Sequence, residues 1–288
     1  MTSFQSRFVA SSSPAGTHTV HYKEWGDINN PRVLLCLHGL VRASGDFDFI
    51  AQELAQTYRI ICPDLVGRGL SDRLADPQYY QVEQYVKDVV TLLDDLQLRQ
   101  FSILGTSLGG IVAMVLASLS GYIVTNLILN DVGMALRADA MRALGTHVAQ
   151  NLQFSSFDEA AAYVQKISAG VGPHSAAQWQ VLASNALRQS ADGAWELHYD
   201  PALSVPLLAA TQVTAQQGEQ ALWKLYDALS CRVLLIRGEQ STMLSRETAM
   251  ELTQRGPRAA LVEVVGVGHA PTFLHREQVA LVRDFLAA

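Results

Sequence analysis

Gly105-Thr-Ser-Leu-Gly-Gly110 follows the apolar run Phe101-Ser-Ile-Leu104 and precedes a long apolar stretch, Ile111 to Leu119. Glycines at such a junction let the chain turn sharply and let other backbone come close. Gly105 to Gly109 fits G-x-S-x-G, and a strand before with a helix after supplies the context that motif requires. A serine at that turn is exposed and placed to react, so Ser107 is the candidate nucleophile. A helix beginning at Leu108 brings a positive dipole end beside it, which favours developing negative charge. The bland alternative is a strand-to-helix connection in which Ser107 has no chemical role.

The chain on either side repeats that strand-and-helix rhythm. Short runs rich in Val, Ile and Leu predict strands at His18–Trp25, Val33–His38, Tyr58–Pro63, Phe101–Gly105, Asn126–Asn130, Arg232–Gly238 and Leu261–Val267. The middle runs are apolar throughout, as parallel strands covered on both faces should be. Helical patterns lie between them at Phe47–Gln56, Gln81–Leu96, Leu108–Ser120, Arg246–Arg255 and Glu277–Leu286. The alternation predicts an α/β fold with a mostly parallel central sheet. From Gly133 to about Ser230 the rhythm breaks into helical pieces at Ala138–Asn151, Asp158–Ser168, Ser175–Gln189 and Glu219–Leu229. Ser156-Phe-Asp-Glu159 reads as a capping box for the second. The expected organisation is a core of residues 1–132 and 231–288 with a helical cap, 133–230, inserted between two strands.

Composition removes several function classes. With 21 Lys and Arg against 27 Asp and Glu the net charge is −6, and no basic run stands out. Nucleic acid and acidic membrane surfaces are therefore poor partners. No window reaches the roughly 20 apolar residues of a membrane span, and the N-terminus lacks a signal-peptide core. Cys36, Cys62 and Cys231 fall in or beside apolar runs. They read as buried reduced thiols, which points to the cytoplasm. No histidine spacing suggests a metal site.

A serine at its ordinary pKa needs a base within hydrogen-bond reach. Of the eight histidines, His269 stands in a Gly-rich loop after the last strand, Val265-Gly-Val-Gly-His-Ala-Pro271, where it can reach the sheet edge carrying Ser107. The alternative is a surface-loop histidine. His275 reads as the start of the final helix, and His18 and His21 as residues of an early strand. His147 and His174 lie in the insertion and at most line a pocket. The N–H of Leu108, directly after Ser107, is one candidate donor to an oxyanion.

Leu37-His-Gly-Leu40, Asp64-Leu-Val-Gly-Arg-Gly-Leu-Ser-Asp72, Gly105–Gly110 and Gly266-Val-Gly-His-Ala-Pro271 together resemble the α/β-hydrolase superfamily, of the capped esterase, lactonase and carbon–carbon hydrolase type. The resemblance covers nearly the whole chain and specifies a superfamily better than a substrate. It implies a Ser-acid-His order of triad residues. The acid's usual place in that family reads Arg237-Gly-Glu-Gln-Ser-Thr242 here, where neither Ser241 nor Thr242 can hold a charge. A second place used by some members, the end of the strand after the nucleophile helix, holds Asp131. Asp131 is therefore the expected acid, Glu239 is the reserve, and the alternative for Asp131 is a cap on the loop into the insertion. The resemblance also makes Leu40 the second oxyanion donor, lets Gly39 bring backbone close to substrate, and makes His38 structural.

Three further residues are open to two readings. Arg42 could bind a substrate carboxylate or pair with Asp46 or Asp48. Arg68 with Asp64 and Asp72 reads as a loop-stabilising ion pair. The set Met134, Met141, Phe154, Phe157, Trp179, Trp195, Trp223 and Met243 reads mostly as packing of the cap, with some lining a pocket for substrate; of these Trp179 is the candidate substrate-binding residue. The expected activity is cofactor-free hydrolysis of a carboxylic ester, lactone or thioester with an apolar acyl or alcohol part, through an acyl-enzyme on Ser107. Two alternatives remain: hydrolysis of a carbon–carbon bond in a vinylogous diketone acid, and a non-catalytic ligand-binding protein.

Overall fold

In the computed structural model, which describes residues 3–135 and 137–288, the apolar runs assemble into one eight-stranded sheet. An antiparallel hairpin opens it: β1 (Gln5–Ser13) and β2 (Gly16–Trp25), joined at Pro14-Ala15. Then come β3 (Val33–Leu37), β4 (Arg59–Pro63), β5 (Gln100–Thr106) and β6 (Ile123–Asn130). Three short strands, β7 (Gln153–Phe154), β8 (Leu187–Gln189) and β9 (Trp195–Leu197), make a separate small sheet. The main sheet resumes with β10 (Arg232–Gly238) and β11 (Ala260–Val264). Its spatial order is β1-β2-β4-β3-β5-β6-β10-β11, and β4 through β11 run parallel. The C-terminal ends of β3, β5, β6 and β10 thus share one edge, the edge at which ligands bind in open parallel sheets.

The central strands are apolar throughout because each face of the sheet is buried. Leu35, Leu37, Ile103, Leu127, Leu129 and Leu235 pack into one layer with α2 (Val82–Asp95) and α3 (Leu108–Ser118). Leu34, Cys36, Leu104, Ile128, Leu234 and Ile236 alternate with them into the opposite layer. That layer is closed by α1 (Asp48–Leu54) and the C-terminal helix, in which Val279 and Val282 are buried. Truncating one such residue, for example Ile128→Ala, is expected to cost about 2–5 kcal/mol.

Between β6 and β10 the chain builds α4 (Ala138–Val148), α5 (Phe157–Ile167), α6 (Ala176–Ala186), α7 (Ser204–Leu208) and α8 (Gln212–Asp227). After β10 come α9 (Arg246–Leu252) and α10 (Arg276–Ala287). Several elements differ from the expectation from sequence. The polar strand β1 and the short helix α7 were not foreseen from the sequence. α6 stops at Ala186, and the next three residues turn extended to pair with β9. α8 begins seven residues before Glu219, at a capping box of Thr211 and Thr214. At α5 the box is only half made: Ser156 Oγ accepts from the Glu159 N–H at 3.2 Å, while the Glu159 carboxylate takes the Ser155 N–H at 2.9 Å instead. The two-sided box with a side-chain amide sits at α6, between Ser175 and Gln178.

Candidate active site

Ser107 occupies the one-residue turn between β5 and α3 with φ 51° and ψ −116°, a backbone conformation that L-residues rarely adopt. Its N–H donates to Asn130 O at 3.0 Å, and its own carbonyl accepts from Gly110 and Ile111 to start the helix. The turn is tight because Gly109 presses on the end of β3, where a Cβ would lie 2.1 Å from Leu37 O. Leu108 is the first residue of α3, so its N–H has no intrahelical acceptor and is available to an oxygen outside the helix.

Three of the residues singled out in the sequence come together at the sheet edge. His269 Nε2 lies 3.1 Å from Ser107 Oγ, and His269 Nδ1 lies 2.7 Å from Asp131 Oδ2. Asp131 is fully buried; its N–H donates to Ile236 O at 2.7 Å, and its Oδ1 has no partner among the described residues. Ser107 and His269 are partly exposed, so the series opens toward solvent at the hydroxyl end. Hydroxyl, imidazole and carboxylate in this order can take the proton off Ser107 Oγ and balance the resulting imidazolium.

Glu239 lies elsewhere: it is exposed and its carboxylate accepts the Gly266 N–H at 2.9 Å. In the family's usual acid place the loop is a structural turn. Ser241 Oγ accepts from the N–H groups of Met243 and Leu244, and Arg237 donates to the carbonyls of Leu244, Glu239 and Ser241.

The loop after β3 comes to the same edge. A Cβ on Gly39 would sit 3.8 Å from Ser107 Cβ, in ordinary contact, so Gly39 backbone borders Ser107. His38 is fully buried beneath it and bonds Gly39 O through Nδ1 at 2.8 Å. It accepts the Leu65 N–H on Nε2 at 2.9 Å. A ring that donates from one nitrogen and accepts at the other is neutral, and burial pushes this imidazole down to about 4. Leu40 is held by Arg68, whose Nε donates to Leu40 O at 2.7 Å and whose Nη1 donates to Val66 O at 2.7 Å.

That geometry corrects the ion-pair reading of Arg68. The guanidinium binds backbone carbonyls and lies 4.6 Å over the Tyr85 ring, while Asp64 instead bonds His21 Nδ1 at 2.7 Å. Burial works to raise the Asp64 carboxyl, but the His21 hydrogen bond, the nearby His38, and the N–H groups of Leu70 and Ser44 outweigh it and hold it at about 2. Asp72 accepts from Thr19. Arg42 makes a bidentate pair with Asp46 at 2.7 and 2.6 Å, so of its two readings the structure shows the ion pair and leaves the guanidinium engaged.

The segment between β6 and β10 bonds to several loops at this edge. On the histidine side Gly268 N donates to Gly170 O at 2.7 Å, His174 Nε2 meets Thr272 Oγ1 at 2.8 Å, and Gln178 Nε2 donates to Leu274 O at 2.8 Å. The approach is close enough that a Cβ on Gly268 would lie 2.4 Å from Gly170 O. On the β3 side Asn185 Nδ2 donates to Gly45 O at 2.7 Å, and Arg42 reaches Leu182 O at 3.4 Å. A further buried contact has Tyr80 Oη donating to Asp200 Oδ2 at 2.6 Å. α6 therefore spans from the histidine loop to the loop after β3, with Gln178, Leu182 and Asn185 spaced along one face.

Trp179 turns to the outside of this span. Its ring lies 5.1 Å from that of His174, and both line a surface groove with Asp158, Ala161, Gln165 and Gln180. Met134 is buried, Phe154, Phe157, Trp195 and Trp223 pack partly buried, and Met243 is half exposed. Burial raises the Cys62 thiol well above its usual range, against any role as a nucleophile. Among the described residues no helix is long and apolar enough to cross a membrane, and no three His, Cys, Asp or Glu side chains gather as a metal-binding group.

Sequence and structure comparisons fall on the same architecture. A 3-hydroxybutyrate-oligomer hydrolase of Cupriavidus necator is 46% identical over 281 residues, 96% of each chain. A 2-hydroxymuconate semialdehyde hydrolase of a Pseudomonas species is 38% identical over 87 residues, 29% of this chain and 30% of that one. The crystal structure of an α/β hydrolase from Novosphingobium aromaticivorans superposes with TM-score 0.86 at 33% identity, over 100% of this chain and 99% of its own. The family model for the α/β hydrolase fold matches residues 32–275, from the start of β3 through the histidine loop. The chain belongs to the α/β-hydrolase fold family.

Proposed function

We propose that the protein is a serine hydrolase that cleaves carboxylic esters, with oligomers of a short hydroxy acid such as 3-hydroxybutyrate as its substrate class. The observation that carries the reading is the continuous Ser107–His269–Asp131 series at 3.1 and 2.7 Å. The substrate class is supported by the full-length likeness to the oligomer hydrolase.

In this mechanism His269 Nε2 accepts the Ser107 Oγ proton as Oγ attacks the ester carbonyl. Asp131 Oδ2 accepts from Nδ1–H, fixes the ring orientation and stabilises the imidazolium. The carbonyl oxygen becomes an oxyanion and receives hydrogen bonds from the N–H groups of Leu108 and Leu40, each worth on the order of 3 kcal/mol in the transition state. The intermediate collapses, His269 returns the proton to the departing alkoxide, and the hydroxy-acid fragment leaves. Water then attacks the acyl-Ser107 carbonyl, giving one proton to His269; the tetrahedral intermediate collapses with cleavage of the bond to Ser107 Oγ, His269 returns the proton to Oγ, and the acid is released. Residues 133–230 act as a cap whose helix α6 roofs the acyl site.

The carbon–carbon hydrolase reading uses the same three residues but calls for a partner to a substrate carboxylate, and Arg42 is already engaged by Asp46. The deciding experiment is release of 3-hydroxybutyrate from its linear dimer and trimer, run beside a dienone acid and with Ser107→Ala as control. Turnover of the oligomers that disappears in Ser107→Ala is the expected result. Turnover of the dienone acid alone, or of neither substrate by folded protein, would overturn the substrate assignment.

A further inference from the structure

Asn130 is the last residue of β6, fully buried, in a strand whose neighbours Leu127, Ile128 and Leu129 are apolar. A buried amide at such a position costs stability unless its polar atoms are bonded. Its donors are bonded: Nδ2 donates to Thr106 Oγ1 at 3.0 Å and to Pro271 O at 2.9 Å. Pro271 O can only accept, which fixes the orientation of the amide. Oδ1 is buried and has no partner among the described residues, so packing alone gives no reason for the polar side chain.

The partners show what the residue connects. Thr106 precedes Ser107, and Asn130 O accepts the Ser107 N–H at 3.0 Å. Asp131 follows Asn130 directly. Pro271 lies two residues beyond His269, in a loop from 265 to 275 without strand or helix of its own. Apart from the bonds of the His269 ring itself to Ser107 and Asp131, the other bonds holding 268–274 among the described residues come from the segment between β6 and β10, at Gly170, His174 and Gln178, or from the start of α10, at Gln278. One side chain on the strand that carries Asp131 therefore ties the histidine loop to the nucleophile turn.

We infer that Asn130 is a positioning residue for hydrolysis, setting the separation of Ser107 Oγ and His269 Nε2 by joining Thr106 to Pro271. The inference rests on the triad reading above. A displacement of about 1 Å at reacting groups costs on the order of a hundredfold in rate. Asn130→Leu keeps the volume and restores apolar packing while removing both donors.

The test measures kcat and KM on a short p-nitrophenyl ester, and the second-order rate of fluorophosphonate addition to Ser107, for Asn130→Leu corrected for its folded fraction. The expected result is a fall in kcat of about 10- to 100-fold with KM within about twofold, and a parallel fall in the rate of adduct formation. A folded Asn130→Leu with wild-type kcat and adduct rate overturns the role, and so does a loss carried by KM alone. Should Asn130→Leu fail to fold, Thr106→Val removes one of the two acceptors. A severalfold fall in its kcat at unchanged KM is then expected, and an unchanged kcat overturns the proposal. Ser107→Ala separates the two levels: if it retains turnover the triad reading fails, and if it is silent while Asn130→Leu matches wild type only the positioning role fails.

Discussion

The sheet edge and the segment above it are built in opposite ways. At the edge, Ser107, Asp131 and the loop after β3 are each anchored by the buried end of a parallel strand. Polar groups there are bonded at fixed angles: His38 between Gly39 and Leu65, Arg68 on Leu40 and Val66, Asn130 on Thr106 and Pro271. The segment between β6 and β10 has strands of two and three residues and meets the edge loops through side-chain bonds such as Gln178 to Leu274 O and Asn185 to Gly45 O, with a backbone bridge between Arg68 and Tyr199 and shared apolar packing behind them. Groups that do chemistry must be held to a fraction of an ångström, and the rigid strand ends supply that. On the proposed function, groups that select a substrate need a surface that changes shape without disturbing the chemistry, a part that falls to the segment between β6 and β10.

If the division is right, changes at the edge should act on kcat and changes in the insertion on KM. The largest effect is expected for Asp131→Asn, which keeps the shape but loses the charge and the tautomer control: a loss on the order of 10⁴-fold in kcat. Glu239→Gln should leave kcat within about twofold, because that carboxylate serves Gly266. Steady-state kinetics on one ester measures both variants, and the reverse ranking would move the acid to Glu239. Next in size, Gln178→Ala or Asn185→Ala removes one hydrogen bond between α6 and an edge loop. Each should raise KM for hydroxy-acid oligomers about fivefold, with kcat for a short ester nearly unchanged. Equal losses in kcat from these variants would erase the distinction between roof and edge.

Acid should unfold the edge in two windows. His38 is held near 4 against 6.5 when unfolded, so the unfolded chain takes up its proton first as pH falls. Stability is full above about 6.5 and is lost down to about 4, by a few kcal/mol. Asp64 is held near 2 against 3.8, so its contribution is present above 3.8 and is lost as pH falls toward 2. Urea midpoints from pH 7 to pH 4 should fall steeply for wild type and less for His38→Gln; identical slopes would remove His38 as the cause. The smallest effect concerns the strained turn. At φ 51° a Cβ is disfavoured, so Ser107→Gly should be more stable than Ser107→Ala by about 1 kcal/mol, reversing the usual order of the two residues. Thermal midpoints of the two inactive variants measure it.

The same division governs what could be read from the sequence. Ser107 and His269 announce themselves because a turn at a strand end needs glycines around it, and glycine punctuation survives in one dimension. Asp131 had no such signal of its own, since an acid at a strand end also reads as a loop cap; the family resemblance singled it out. β1 went unread because QSRFVASSS presents a polar edge with few inward apolar residues. The early start of α8 was hidden by exposed Gln and Thr residues and Gly218, whose low helix propensity is overridden by packing at Leu222 and Tyr226. Arg68 was assigned to nearby acids because sequence shows proximity along the chain, whereas its true acceptors are backbone carbonyls, which every residue carries alike. Asn130 escaped for a related reason: its partners lie 24 and 141 residues away.

The central claim is that Ser107 is an activated nucleophile, and it can be tested before any substrate is known. Folded protein is treated with a fluorophosphonate, its intact mass is measured, and the adduct is mapped by peptide sequencing. One adduct per chain, on Ser107 and absent in Ser107→Ala, is the expected result. No adduct on folded protein, or an adduct on another residue, would contradict the account.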